Sequence, residues 1–176
     1  MLYTTTYQSP LGEITLAERD GKLAGLWFNG QKYFLSGIRE ELVPCENREV
    51  FIKTKDWLDR YFSGDAPSAD ELDLAPAGSD FRQTVWKILR EIPYGETVTY
   101  GEVAKEAAKR LGLESMSAQA VGNAVGHNPI SVIIPCHRVV GADGGLTGYA
   151  GGIDKKIYLL RHEGLDMSRF KPTKKA

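Results

Sequence analysis

The stretch Gly126-His127-Asn128-Pro129-Ile130-Ser131-Val132-Ile133-Ile134-Pro135-Cys136-His137-Arg138-Val139 decides how the rest of the chain is read. A polar turn feeds a run of β-branched residues, which favours a strand, and Pro135 stops it. Cys136 is then expected at a strand end, with His137 beside it to accept a proton. The thiolate, not the thiol, is the nucleophile, and a neighbouring base or positive charge makes one. Taken alone, a cysteine next to a histidine is more often inert, because free cysteines are among the most buried residues.

Upstream of this stretch the chain reads as helices. Phe81, Val85, Ile88, Leu89 and Ile92 form an apolar stripe, with Ser79 or Asp80 as N-cap and Pro93 as terminator. Thr99 and Glu102 fit a capping box and Val98 and Val103 a hydrophobic staple, opening a helix to about Leu111 that Gly112 can close. A second short helix is expected from Ser115 or Ser117 to near Gly126. Two short helices joined through a glycine turn fit a helix-turn-helix, but the pattern alone favours an ordinary helical hairpin. From Ser115 to Cys136 there is no Asp, Glu, Lys or Arg, and Ala118, Ala120, Gly122, Ala124 and Gly126 are small. Such a helix is core, or presses its backbone against another surface. Any attraction to phosphates must come from flanking Arg and Lys.

The N-terminal half reads as strands followed by a helix. Gly12 to Arg19 and Lys22 to Phe28 flank Asp20-Gly21, a strong hairpin signal. Residues 50 to 62 carry apolar side chains at helical spacing, Ile52, Leu58, Tyr61 and Phe62 among them, and Ser63-Gly64 ends the run. Ser63 to Ser79 is rich in Pro, Ala, Gly, Ser and Asp and reads as a linker.

The 176 residues suffice for one domain or two small ones. Hydrophobic residues make up 42% and charged residues 26%, an ordinary globular balance. No apolar run reaches membrane-spanning length, and the N-terminus lacks the pattern of a signal peptide. Cys45 and Cys136 cannot build a disulfide framework, which fits a reducing, intracellular, cytoplasmic setting. No Cys/His cluster has zinc spacing. The net charge is −1, but it is unevenly spread: residues 1–80 carry 8 Lys/Arg against 14 Asp/Glu, and residues 81–176 carry 14 against 9. A second half at +5 beside a first half at −6 suggests that the second half meets a polyanion.

Asn128-Pro129 followed by Ile134-Pro135-Cys136-His137-Arg138-Val139 closely resembles the active-site signature of the O6-alkylguanine-DNA alkyltransferases, the methylated-DNA–protein-cysteine methyltransferases. The resemblance runs from about Phe81 to Gly164. It implies an N-terminal α/β domain over 1–75, a small antiparallel sheet plus helix of ribonuclease H-like type. A mainly α domain with a helix-turn-helix follows over 79–168, where DNA is bound and the alkyl group accepted, and then a disordered tail, 169–176. It also implies a single-turnover transferase. In that family duplex DNA is bound through the minor groove, the O6-alkylguanine nucleotide is flipped out, and the alkyl group moves irreversibly to the protein's own cysteine.

On this resemblance Cys136 is the acceptor and His137 its base, working through a water. Glu163 orients His137, and Asn128 braces the backbone of the active-site turn. Tyr100 donates to the guanine ring as negative charge builds on it. The carbonyls of Cys136 and Val139 recognise the guanine amino group, Tyr149 lids the pocket, and the Ala150 N–H reaches guanine O6. Gln119, Ala120, Gly122 and Asn123 meet DNA. Arg138 is expected to pair within the domain. No metal and no cofactor are implied. The partner is double-stranded DNA carrying O6-alkylguanine, with O4-alkylthymine as a second candidate base, and the protein acts as a monomer off the membrane.

One departure stands out: Gln119 occupies the position where many relatives place an arginine that fills the space left by the flipped base. Gln brings no charge and no guanidinium plane, while flipping costs a few kcal/mol. Three other readings compete: a damage binder without transfer activity, a regulator with a cysteine-rich sensor, and a thiol hydrolase or redox protein. Such binders characteristically replace the acceptor cysteine, which is present here, and the sensor needs cysteines that this chain lacks.

Overall fold

The computed structural model describes residues 1–146 and 148–172. They form two compact units. The first is Met1–Ala77 together with Pro129–Ser131, and the second is Gly78–Asn128 together with the described residues from Val132 on.

In the first unit, strands β1 (Leu2–Ser9), β2 (Gly12–Arg19), β3 (Lys22–Phe28) and β4 (Leu42–Pro44) make a sheet in the order β3-β2-β1-β4. Asp20 and Gly21 both adopt positive φ, 53° and 81°, the backbone a two-residue hairpin turn demands. The sheet is mixed rather than purely antiparallel, because β4 runs parallel to β1, with Leu2 opposite Leu42. Neither β1 nor β4 was legible: Thr4-Thr5-Thr6 has no alternation to read, and β4 has three residues.

Helix α1 (Glu49–Phe62) buries Val50, Phe51, Thr54, Trp57, Leu58 and Tyr61. Ile52, expected on the apolar face, is 62% exposed. The linker expected over 63–79 is in part bound structure. A 3-10 turn, Ala69–Glu71, is closed by a Ser68 capping box, and Leu72 is buried. Leu23 N–H donates to Asp73 O at 2.9 Å, and Ala75 N–H donates to Leu23 O at 2.8 Å. Further along β3, Leu26 N–H donates to Pro129 O (2.8 Å), and Ser131 N–H donates to Leu26 O (3.1 Å). Two separate pieces of chain thus satisfy the outer edge of β3, which would otherwise present unpaired backbone groups.

The second unit is mainly helical. Helix α2 (Asp80–Arg90) is capped by Ser79, α3 (Tyr100–Leu111) by Thr99, and α4 (Ala118–Gly126) by Ser117. Each cap side chain accepts a backbone N–H, worth about 1 kcal/mol. Gly112 ends α3 in the left-handed conformation, φ 68°. Trp86 Nε1–H donates to Ala124 O at 2.9 Å and ties α2 to α4. Short parallel pairs join β5 (Val98–Thr99) to β6 (Val139–Val140), and β7 (Gly145–Leu146) to β8 (Lys171–Pro172). Helix α5 (Ile153–His162) lies between β7 and β8 in sequence.

Two expectations fail along this part of the chain. The β-branched run before Pro135 is no strand: Ile130 makes a single bridge to Leu26, and residues 131–134 turn. Val132 takes φ 70°, a region that β-branched residues strongly disfavour. The run is hydrophobic because it is buried, and burial mimicked a strand signal. The tail expected from 169 also starts too early. Phe170 packs with Val140, Leu146 and Leu160, and Lys171 N–H donates to Gly144 O at 3.0 Å. Residues 173–176 of that expected tail lie outside the described residues.

Candidate active site

Pro135 shapes the turn that carries the thiol. Its φ of −81° and ψ of 66° are those of an inverse γ-turn, in which the Cys136 N–H donates to Ile134 O at 2.8 Å. A single 3-10 turn, Cys136–Arg138, follows. Asn128, buried just beyond the end of α4, donates through Nδ2 to Ile134 O at 2.7 Å. Ile134 O therefore accepts twice, and the turn is fixed from both sides.

Cys136 is 5% exposed, and burial pushes its thiol pKa up. The side chain of Asn128, the charge of Lys156, the backbone at Cys136 and the side chain of Tyr149 all pull it back. His137 is fully buried, with Nε2 2.7 Å from Glu163 Oε2. Glu163 caps the C-terminal end of α5. Burial by itself would raise the Glu163 pKa. The hydrogen bonds and charges of His137 and Arg138 outweigh it and hold the carboxyl well below the usual range. Arg138 donates from Nε to Oε1 (2.8 Å) and from Nη2 to Oε2 (3.0 Å), and Gly95 N–H donates to Oε1 (3.0 Å).

This geometry assigns the tautomer of His137. An ionised carboxylate only accepts, so Nε2 must carry the hydrogen. Burial pushes the His137 pKa down, which favours neutral imidazole. Its lone pair then sits on Nδ1, which is buried without a protein hydrogen-bond partner among the described residues. A cysteine followed by a neutral histidine oriented by a carboxylate is the base-plus-orienter arrangement that activates nucleophiles.

The other expected residues fall around this turn or on α4. Tyr100 opens α3, half-buried, and a Cβ on Gly122 of α4 would lie 3.9 Å from its ring. Val139 follows the 3-10 turn, and its carbonyl accepts from Lys156 Nζ at 2.6 Å. Tyr149 is buried and Ala150 half-buried, in a loop where Gly148 and Gly152 take φ 49° and 100°. Thr147 lies outside the described residues. Helix α4 buries Val121, Ala124 and Val125 and leaves Gln119 and Asn123 exposed, with Ala120 and Gly122 half-buried.

Sequence reasoning missed two residues. Arg82, one turn into α2, reaches Asn123 Oδ1 through Nη2 at 3.3 Å and brings a cation to the uncharged α4. Lys156 is fully buried on α5. Its position in Ile153-Asp154-Lys155-Lys156-Ile157 gave no sign, because a lysine beside another lysine reads as a solvated face. Arg138 pairs within its own unit, with Glu163. Among the described residues no group of three His, Cys, Asp or Glu could hold a metal ion, and no helix is long and apolar enough to cross a membrane.

Comparison with known proteins covers nearly the whole chain. Residues 80–165 match the DNA binding domain of 6-O-methylguanine DNA methyltransferase, and residues 2–76 match its ribonuclease-like domain. A methylated-DNA–protein-cysteine methyltransferase of Methanosarcina acetivorans is 44% identical over 168 residues, covering 93% of this chain and 99% of that protein. One of Mycobacterium tuberculosis is 46% identical over 164 residues, covering 93% of each. The crystal structure of Mycobacterium tuberculosis OGT in complex with DNA superposes with a TM-score of 0.79 at 42% identity, covering 96% of this chain and 94% of that one.

Proposed function

Because the chain belongs to the 6-O-methylguanine DNA methyltransferase family, we propose that this methylated-DNA–protein-cysteine methyltransferase repairs O6-methylguanine by taking the methyl group onto Cys136. It binds DNA, and the proposed partner is duplex DNA, read from the minor groove by a monomer working in the reducing interior of the cell. The observation that carries the reading is the buried Cys136-His137 turn with Glu163 held ionised behind it.

The thiol proton passes to His137 Nδ1 through a bridging water. The thiolate attacks the methyl carbon, the S–C bond forms and the C–O6 bond breaks. The bonding pair leaves with guanine, and the proton given up by Cys136 ends on the base. Tyr100 hydrogen-bonds the ring as this charge builds, the Ala150 N–H serves O6, and the carbonyls of Cys136 and Val139 take the amino group, with Tyr149 closing over the base. The thioether is stable, so each molecule acts once. Gln119, Ala120, Gly122 and Asn123 face the DNA, with Gln119 in the gap left by the flipped nucleotide.

The test is a duplex carrying O6-methylguanine labelled in the methyl group. One methyl per protein, mapped to Cys136 and without turnover, supports the reading. In Cys136→Ala, transfer is expected to vanish while DNA binding persists; transfer retained by that variant would overturn it. The same experiment with O4-methylthymine decides the second candidate base.

A further inference from the structure

Helix α4 presents the residues proposed to meet DNA, yet it carries no charge: from Ser115 to Cys136 there is no Asp, Glu, Lys or Arg. A duplex is a dense row of phosphates, so the cation that draws it to this face must come from a neighbouring element. Helix α2 supplies one. Arg82 Nη2 donates to Asn123 Oδ1 at 3.3 Å, from a position 41 residues earlier in the chain. Asn123 lies one turn beyond Gln119 on α4 and both are exposed, so the guanidinium joins the face that Gln119 occupies.

Arg82 differs from other arginines of its unit in what it is bound to. Arg110 holds Glu91 and Glu106, and Arg138 holds Glu163, so their charges are balanced within the fold. The hydrogen bond of the Arg82 side chain among the described residues goes to a neutral amide. Lys105 and Lys109 of α3 line a separate groove, together with Glu114. The bond to Oδ1 also orients the Asn123 amide, so that the two side chains together offer N–H donors. An arginine that is half-buried and anchored at its tip has little freedom left to lose on meeting an anion.

We propose that Arg82 is a phosphate contact of the DNA-bound protein: it brings to the α4 face the positive charge that the helix lacks, and Asn123 holds it there. The minor groove is about 6 Å wide, and one helical turn advances about 5.4 Å. A side chain that reaches α4 one turn beyond Gln119 therefore comes level with the sugar-phosphate wall of the groove. The planar guanidinium fork suits a phosphate, and a contact to phosphate positions the duplex without reading its sequence. The proposal rests on the reading in which α4 meets the duplex.

The experiment is a titration of the whole protein with an undamaged duplex, on which no methyl moves, repeated over a range of NaCl concentrations. Arg82→Gln removes the charge and keeps an N–H donor for Asn123. Its affinity at about 0.1 M salt is expected to fall about five- to tenfold, and the slope of log K against log[NaCl] to shrink by about one. The same loss is expected on a duplex of unrelated sequence, and Arg82→Lys keeps the slope of the unaltered protein. An unchanged slope in Arg82→Gln overturns the proposal even where affinity falls, because a mere brace between α2 and α4 would weaken binding without changing the counterions released. Gln119→Glu separates that failure from failure of the reading beneath it. A negative charge on the α4 face is expected to weaken binding. Weakened binding there beside an unchanged slope in Arg82→Gln overturns the Arg82 contact alone. Unchanged binding in Gln119→Glu takes α4 out of the interface and overturns both.

Discussion

Each unit buries a glutamate against an arginine, and the two pairs differ in everything else. In the first unit Glu18 is 2% exposed and accepts from Arg48 Nε at 2.9 Å, while Arg48 remains 38% exposed and lies over the Tyr3 ring. In the second unit the Glu163 side chain is fully buried, Arg138 is 12% exposed, and the carboxylate also holds His137. The first pair joins a strand to the start of a helix. The second passes its charge to an imidazole next to a thiol. Burial of a charge therefore does not mark a reactive site; a nucleophile and a titrating partner on the same network do.

The largest expected effect breaks the second pair. Glu163→Gln removes the fixed charge and lets an amide N–H face Nε2, which favours the wrong tautomer of His137. Methyl transfer should fall about 100-fold or more, and chemical denaturation should show a loss of about 3 kcal/mol, since Arg138 loses its carboxylate partner and keeps only the Ile92 carbonyl and a neutral amide. The matching change, Glu18→Gln, should cost less stability, about 1–2 kcal/mol, because Arg48 can turn to water. Its transfer rate should be unchanged. Equal effects on transfer would dissolve the distinction.

Acid and base titrations sharpen it. The Glu163 pKa is depressed by folding, so its contribution is present above the ordinary carboxylate value and lost as the pH falls through the folded one. Unfolding curves below pH 4.5 should steepen in the unaltered protein relative to Glu163→Gln. Lys156 acts at the other end, its pKa lowered by burial from 10.5 to about 8. Between those values the unfolded chain binds the extra proton, so stability should rise with pH there. The rise is on the order of 3 kcal/mol and should be missing in Lys156→Met.

Smaller effects belong to the exposed surface. Gln119→Arg should tighten binding to the lesion duplex several-fold, because a guanidinium adds a charge and a stacking plane in the gap left by the flipped nucleotide. An unchanged affinity in a binding titration would show that Gln119 already fills that gap adequately. Ile52→Ser, on the outer side of α1, should alter stability by less than about 0.5 kcal/mol.

The hairpin at Asp20-Gly21, three capped helices and the Cys136-His137 pair were all legible, because each depends on residues close together in sequence. Glu163 and Asn128 came only with the family resemblance, since nothing local distinguishes a glutamate that caps a helix in solvent from one clamped by Arg138. The turn over 131–134 was misread because its three buried apolar residues, Val132, Ile133 and Ile134, look alike in a strand and in a packed turn. Val132 at φ 70° is fixed by the bracing on either side, not by its own preference. Lys156 and Arg82 were invisible because their importance lies in partners 17 and 41 positions away.

The edge of β3 has a consequence for anyone who would dissect this chain. Residues 129–131 belong to the first unit, although they are flanked on both sides by residues of the second. A fragment ending at residue 77 keeps the strap from Asp73 to Ala75 and loses the segment that pairs with Leu26. Its β3 would end in bare amide and carbonyl groups, a template for sticking to another copy of itself. The complementary fragment, starting at 78, would carry an orphaned tripeptide between Asn128 and the strained Val132, at the threshold of its own reactive turn. A single cut therefore yields two damaged pieces. The backbone passes from one unit to the other three times, so insertions and protease nicks are better sought at the hairpin tip, residues 20 and 21.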